Sequence, residues 1–214
     1  MLNTMSTIEV FADVVCPFTH VGLRRLVAER AARRRPDVML RVRSWPLELV
    51  NGQPLDPDFV AQEVAALRGS VAPDLFAGFD PSGWPVSSLP ALSLAAAALA
   101  VSPATGEAVA LALRTQLFEH GRDISDPAVL ASIAEAHGMT TADLDAGLEG
   151  ETGRARVVAD WQEGEERGVV GSPHFFVGDT NVFCPTLTIS HHDGRFDIEV
   201  STTQFEAFME RCFA

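Results

Sequence analysis

Two strand patterns flank one helical pattern at the start of the chain, and this order limits the fold more than any other feature. Residues 8–12 and 38–43 are rich in β-branched and other apolar side chains, whereas residues 18–31 repeat apolar side chains at helical spacing. Strands joined by one crossover helix pair in parallel with a right-handed connection. Pro17 suits the first helical turn, where its missing N–H removes no hydrogen bond. We therefore predict an α/β fold that begins with a βαβ unit and places Cys16 at the strand-to-helix junction.

The remainder of the chain divides into a helical region and a second α/β segment. Helical patterns cover about residues 58–68, 89–101, 105–120, 126–137 and 141–149. After them we predict a helix at residues 155–167, strands near residues 174–178, 186–191 and 196–200, and a final helix from Thr202 or Thr203. The sequence thus predicts an α/β domain formed by residues 1–50 and 154–214, with an all-helical insertion domain at residues 51–153.

Charge and composition exclude several classes of function. The formal net charge of −13 argues against a nucleic-acid partner, because phosphate binding needs a basic surface. The most apolar stretch, residues 89–101, is too short to cross a membrane, and no signal-peptide pattern precedes the first strand. Three cysteines without paired spacing predict neither a disulfide framework nor a metal site. We therefore expect a cytoplasmic protein with no membrane, nucleic-acid or metal partner.

Cys16 is the candidate reactive thiol. The N–H groups and positive dipole end of a helix stabilise a thiolate and lower the thiol pKa. The alternative is packing, since unpaired cysteines are among the most buried residues. A second feature favours the reactive role over packing. Pro173 begins a strand of aromatic residues, and proline is rarely found in a central strand. A cis peptide bond between Ser172 and Pro173 would explain this placement.

Four segments resemble the DsbA family, in the order that the family predicts. Residues 11–22 resemble its active-site segment and residues 168–177 its cis-proline loop, while residues 45–49 and 124–130 match a strand exit and a helix start in its insertion. The similarity is greatest to the branch that holds FrnE-like oxidoreductases, hydroxychromene-carboxylate isomerases and kappa-class glutathione transferases. It implies a thioredoxin fold with an inserted all-helical domain.

Thr19 departs from the family pattern, because redox members carry a second cysteine at this position. A threonine hydroxyl could donate to a thiolate at Cys16 but cannot form a disulfide. Release of Cys16 would then need an outside thiol, such as glutathione or another small thiol. The resemblance implies Cys16, Thr19 and Pro173 as catalytic residues, and as substrate-binding residues Pro17, Phe18, His20, Trp45 and Ser172.

Three hypotheses follow from this combination. The leading one is a thiol-disulfide oxidoreductase that acts through one nucleophilic cysteine of lowered pKa, with no tightly bound cofactor, on a small thiol or a disulfide-bearing protein. The helical insertion would cover its substrate cleft. The second is a glutathione-dependent isomerase or transferase, although that branch usually has Ser where Cys16 stands. The third is a non-catalytic binding protein whose interaction surface could serve a homodimer.

We expect different roles for the other two cysteines. Cys184 could replace the missing second cysteine, but nothing in the sequence places its Cα within the 7 Å or so of Cys16 that a disulfide needs. Cys212 lies on the inner side of the last helix and is predicted to pack.

The histidines and large aromatic residues leave both packing and site-lining roles open. His20 follows the Cys16 motif, and His174 follows Pro173 and could point across the sheet. His191 and His192 lack a third metal ligand nearby in the sequence. Pocket walls and core packing explain Trp45, Trp84 and Phe118 equally well.

Overall fold

The computed structural model describes residues 6–148, 151–185, 188–192, 195–199 and 202–213. Its strands and helices in chain order are β1 (Ser6–Ala12), α1 (Pro17–Ala32), β2 (Val38–Ser44), α2 (Leu47–Val50), α3 (Pro57–Ser70), α4 (Leu89–Val101), α5 (Pro103–His120), α6 (Pro127–Ala136), α7 (Thr141–Leu148), α8 (Glu151–Glu166), β3 (His174–Val177), β4 (Thr180–Phe183), β5 (Thr188–His192), β6 (Arg195–Glu199) and α9 (Thr202–Cys212). A 3-10 turn at Pro81–Gly83 precedes α4.

A mixed four-stranded sheet with the order β2-β1-β3-β4 forms the centre of the fold. Strands β1 and β2 pair in parallel from Ser6 opposite Val38 to Ala12 opposite Ser44, which confirms the predicted βαβ unit. Strands β1 and β3 pair antiparallel, as do β3 and β4. The fold is therefore the thioredoxin-like α/β fold, with many helices between its two halves.

The partner of β3 differs from the sequence expectation. We predicted strands only near residues 186–191 and 196–200 after β3, but β4 is the strand that pairs with it, and β5 and β6 form a separate two-stranded sheet. Strand β4 has only four residues and no buried position, so hydrophobic periodicity gave no signal. A two-residue Gly178-Asp179 turn joins β3 to β4, with Gly178 at a φ of 55°. That turn chemistry is typical of a tight hairpin and was the overlooked signal.

The helical region begins and ends where the sequence provides start and stop residues. Helices α3, α5 and α6 each begin at a proline, and the preceding Asp56, Ser102 and Asp126 accept hydrogen bonds from backbone N–H groups of the first turn. Helix α8 begins one turn earlier than predicted, and Gly168 follows it at a φ of 74°. The one-turn helix α2 was not predicted. No helix among the described residues has both the length and the apolarity that crossing a membrane requires.

Three packing clusters surround the sheet. On one face, Leu26 of α1 and Phe208 and Cys212 of α9 pack against Val10 and Phe175, which confirms the buried position predicted for Cys212. On the other face, Phe11 and Trp45 pack beneath α8. The third cluster joins α3, α4, α5 and α6 to the segment between β1 and α1, which includes Cys16. The helical region therefore packs directly on the start of α1.

Candidate active site around Cys16

Cys16 occupies the N-cap position of α1. Its backbone is extended, with φ −85° and ψ 115°, and its carbonyl accepts the first helical hydrogen bond, from the His20 N–H. Pro17 stands at the first helical position, as predicted. The thiol is only 3% exposed and lies 3.2 Å from the Ser172 carbonyl oxygen, to which it donates. The fold thus brings Cys16 to the loop before β3, although the two segments are far apart in the sequence.

Ser172 connects this loop to both β1 and α1. Its peptide bond to Pro173 is cis, in agreement with the sequence expectation. The Ser172 hydroxyl oxygen accepts a hydrogen bond from the Asp13 N–H at 2.9 Å and lies 2.9 Å from the Thr19 hydroxyl oxygen. Two hydroxyl groups that share one hydrogen bond leave one proton to donate elsewhere. That proton is available to the Cys16 sulfur.

The electrostatic environment of Cys16 corrects one sequence expectation. We predicted a lowered thiol pKa, but burial raises the pKa of Cys16 above its ordinary value. Hydrogen bonds from Thr19 and Ser172 act in the opposite direction, and the negative charge of Glu63 adds to the increase. The helix end favours the anion, but the helical region removes water from the sulfur, and desolvation penalises the charged form more. This conformation therefore holds Cys16 as a thiol.

Asp13 and Arg114 form a buried charged pair beside the thiol. The Asp13 carboxylate accepts hydrogen bonds from the Leu47 N–H at 2.6 Å and the Ser88 hydroxyl at 3.2 Å. Burial nevertheless raises the pKa of Asp13 to about 6. Arg114 is 2% exposed, donates to the Asp13 carbonyl oxygen at 3.0 Å, and has its pKa lowered to about 10 by burial. Both groups remain mainly charged at neutral pH, and sequence analysis did not identify either.

Glu63 of α3 is a second buried acid that the sequence analysis missed. Burial raises the pKa of its carboxyl group to about 7, and no other cause contributes. Its charge also acts on the Cys16 thiol. A charged residue between apolar positions of an amphipathic helix, here Val60 and Val64, was the available sequence signal. The chain therefore places a titratable carboxyl group close to the candidate nucleophile.

His20 lies in an aromatic cluster and makes its side-chain hydrogen bond with Glu119. Its Nε2 lies 2.6 Å from a carboxylate oxygen of Glu119, and its ring packs against Phe76 and Phe118. Burial lowers the pKa of His20. Glu119 also accepts the Phe76 N–H at 3.0 Å, where Phe76 has a φ of 65°. His20 thus joins α1 to Glu119 of α5 and to Phe76 of the loop after α3, and it packs against Phe118.

The other predicted binding residues also have defined positions. Phe18 is buried in the same cluster as Cys16. Trp45 belongs to the separate cluster with Phe11, beneath α8, where Gly164 approaches it so closely that a Cβ there would lie 2.8 Å from the indole ring. The Trp84 indole N–H donates to the Leu55 carbonyl oxygen at 3.1 Å. The structure therefore brings Phe18, but not Trp45, into the cluster that contains Cys16.

His174 stabilises the loop that contains the cis bond. Its Nδ1 accepts a hydrogen bond from the Val170 N–H at 3.2 Å, so its Nε2 is the nitrogen that donates to Asn181 Oδ1, at 3.1 Å. The ring thus reaches across to β4, as the sequence analysis considered. Burial lowers its pKa, which favours this neutral form.

Cys184 follows β4 and lies beside Pro173. Its N–H donates to the Pro173 carbonyl oxygen at 2.9 Å, and its side chain belongs to the same buried cluster as Cys16. None of the three cysteines forms a disulfide. Within the described residues, no group of three or more His, Cys, Asp or Glu side chains could hold a metal ion. His191 and His192 belong to β5, but their side chains lie outside the described part of the structure.

Comparison with known proteins places this geometry in a family. The sequence profile of the DsbA-like thioredoxin domain matches residues 7–189. None of the curated proteins compared with the chain matches it in sequence.

Solved structures give similarities of fold. The cytosolic disulfide reductase DsbM from Pseudomonas aeruginosa is 18% identical, with 95% of this chain and 97% of that chain covered and a TM-score of 0.62. A probable DsbA oxidoreductase from Streptomyces coelicolor is 17% identical, with 96% and 89% covered and a TM-score of 0.64. A 2-hydroxychromene-2-carboxylate isomerase is 16% identical, with 83% and 88% covered and a TM-score of 0.61.

Proposed function

Since the chain belongs to the DsbA-like thioredoxin family, we propose that it is a thiol-disulfide oxidoreductase with Cys16 as its nucleophile. The observation that carries the proposal is the contact between the Cys16 sulfur and the Ser172 carbonyl oxygen, 3.2 Å apart, beside the cis bond to Pro173. This contact joins the only cysteine at a helix start to the loop that the family uses to align its substrates.

The reaction follows from the groups around the sulfur. The Cys16 thiol gives its proton to water and the resulting thiolate attacks one sulfur of a disulfide. The S–S bond breaks, and the second sulfur leaves as a thiolate that takes a proton from water. Cys16 is then joined to the substrate in a mixed disulfide. The Thr19 and Ser172 hydroxyl groups, 2.9 Å apart, supply the hydrogen bond that stabilises the attacking anion.

Burial of the thiol sets a condition on this reaction. Desolvation is the largest cause of the raised Cys16 pKa, whereas the hydrogen bonds of Thr19 and Ser172 lower it. If the helical region moves so that water reaches the sulfur, the desolvation that raises the Cys16 pKa is removed, and the hydrogen bonds that lower it remain. We therefore propose that the helical region covers the substrate cleft, and that the substrate reacts with Cys16 when this region moves away from the sulfur.

We propose glutathione as the small thiol that regenerates the protein in the reducing cytoplasm. The support is a fold similarity to DsbM from Pseudomonas aeruginosa solved with GSH, at 19% identity, 95% and 97% coverage and a TM-score of 0.53. The absence of disulfides among the three cysteines is compatible with such a compartment.

A glutathione-dependent isomerase or transferase is the second candidate. The same pair of hydroxyl groups that serves Cys16 could hold the sulfur of a bound glutathione. Saturable glutathione binding to a Cys16→Ser variant, measured by calorimetry, would favour this candidate, because thiol-disulfide exchange needs the Cys16 sulfur and simple binding does not.

The direct test uses a protein in which Cys16 is the only thiol, made by the replacements Cys184→Ser and Cys212→Ser. We expect this protein to form a mixed disulfide with glutathione disulfide, measured by intact-mass spectrometry, and the further replacement Cys16→Ser to abolish it. A folded protein that forms no adduct under conditions where free cysteine reacts would contradict the proposal. It would favour a binding protein without catalysis.

A further inference from the structure

Cys184 lies next to Pro173 of the cis-proline loop. Strands β3 and β4 pair in the register His174 opposite Phe183, and one step further along this register Cys184 faces Pro173. The hydrogen bond from the Cys184 N–H to the Pro173 carbonyl oxygen continues the ladder at 2.9 Å. Residues that face each other in this way have Cα atoms about 5 Å apart. Cys16 contacts the residue before Pro173, and Cys184 contacts Pro173 itself.

Both cysteines belong to the same buried cluster. Cys184 is 6% exposed and shares the buried cluster of Cys16, α3 and α4, not the cluster beneath α8. Its φ of 40° is in the left-handed region, which a residue with a Cβ seldom adopts. This backbone conformation ends the regular alternation of β4. Such unusual conformations concentrate at functional sites.

We propose that Cys184 is the resolving thiol of Cys16, so that the two form a redox pair at the Ser172–Pro173 loop. The inference rests on the proposed function and adds a partner that residues 16–19 do not supply, because Thr19 stands in the place of the second cysteine. Glutathione then acts on the pair instead of releasing the substrate from Cys16 directly.

The steps balance in atoms and electrons. Cys16 attacks the substrate disulfide and one substrate thiolate leaves, as above. The Cys184 thiol then gives its proton to water and attacks the Cys16 sulfur as a thiolate, the mixed-disulfide bond breaks, and the second substrate thiolate leaves and takes a proton from water. The substrate gains two electrons, and the protein loses two in forming the Cys16–Cys184 disulfide. Two molecules of a small thiol reduce this disulfide and become one oxidised molecule.

The test uses an aromatic disulfide that releases a coloured thiolate at each exchange. We expect reduced wild-type protein to release two coloured thiolates for each reactive site and to keep no adduct. The Cys184→Ser and Cys184→Ala variants should release one and retain the other as an adduct on Cys16. Cys212→Ser is the matched control, since Cys212 lies in the other buried cluster, and it should behave as the wild type.

A measurement on the wild type alone makes the outcome independent of how the variants fold. After oxidation and tryptic digestion, we expect a disulfide between the peptide that ends at Arg24 and the peptide that begins at Gly168. A stable adduct on Cys16 of the wild type, without this cross-link, would overturn the inference and leave the proposed function intact. The absence of any adduct or cross-link would contradict both.

Discussion

Two clusters of charged side chains flank the central sheet, and they differ in whether their surroundings favour the charged form of each side chain. Near Cys16, the acids Asp13 and Glu63 have raised pKa values of about 6 and about 7, and the pKa of Arg114 is lowered to about 10. Burial is the largest cause of all three shifts. The charged forms are therefore disfavoured throughout this cluster.

The cluster under α8 shows the opposite behaviour. Arg43 donates to Asp160 at 2.8 Å and to both carboxylate oxygens of Glu163 at 2.7 and 2.6 Å. Burial alone would lower the pKa of Arg43, but its hydrogen bonds to Glu163 and Asp160 raise it, and the same bonds lower the pKa of Glu163. Under α8, direct hydrogen-bonded ion pairs stabilise charge, whereas near Cys16 the Arg114 guanidinium donates to the Asp13 backbone carbonyl and attracts the carboxylate through space. Perturbed groups of the second kind are typical of functional sites, and satisfied pairs are typical of structural ones.

The largest expected contrast comes from removing each arginine. Arg114→Met leaves the Asp13 carboxylate buried without its cation, and we expect it to lower the free energy of unfolding by about 3 kcal/mol or more. Arg43→Met leaves Glu163, whose side chain is 44% exposed, able to bind water, while Asp160 keeps its hydrogen bond from the Ser44 N–H, and we expect a smaller loss of about 1–2 kcal/mol. Urea unfolding of both variants at neutral pH measures the contrast. Equal losses would show that the two clusters do not differ as described.

Glu63→Gln should increase stability at alkaline pH. The folded pKa of about 7 is above the ordinary value of 4.5, so the stability that the protonated carboxyl contributes below pH 4.5 is lost as the pH rises to 7. Gln removes this loss, and we expect a gain of about 3 kcal/mol at pH 8 and little change at pH 4. Urea unfolding at the two pH values checks it. The control Glu163→Gln should lose stability at pH 8, because the pKa of that carboxyl is lowered.

The same Glu63→Gln variant should make Cys16 more reactive. The negative charge of Glu63 raises the thiol pKa, so its removal increases the thiolate fraction, and we expect alkylation at pH 8 to be about threefold faster. Stopped-flow alkylation of the protein that has Cys16 as its only thiol measures the rate. Glu163→Gln is again the control and should leave the rate unchanged. No acceleration would mean that Glu63 does not act on the sulfur.

Thr19→Val should change the alkylation rate of Cys16 in the opposite direction. Valine keeps the shape of the side chain but removes the hydroxyl that stabilises the Cys16 anion. A hydrogen bond of about 1 kcal/mol corresponds to roughly a fivefold slower alkylation at a fixed pH. Thr115→Val is a matched control, because the half-buried Thr115 hydroxyl donates to the Leu111 carbonyl oxygen within α5.

The comparison also explains what the sequence could predict. The βαβ unit and the insertion helices follow from local periodicity and from prolines at helix starts, and Cys16, Thr19, Ser172 and Pro173 follow from two motifs. Arg114 could not be assigned in this way, because its role depends on α5 packing against the segment that holds Asp13. The raised pKa of Cys16 was missed for the same reason. A helix end is visible in the sequence, whereas the loss of water at that end is a property of the packed helices.

The most direct test of the account is the pH dependence of Cys16 alkylation in the protein in which Cys16 is the only thiol. Because burial outweighs the helix end and the hydroxyl groups, we expect the rate to keep rising with pH beyond about 8.5, the midpoint of a free cysteine. A plateau below about pH 7 would contradict the account. It would show that the helix start activates the thiol in the closed protein and that burial does not govern the charges around it.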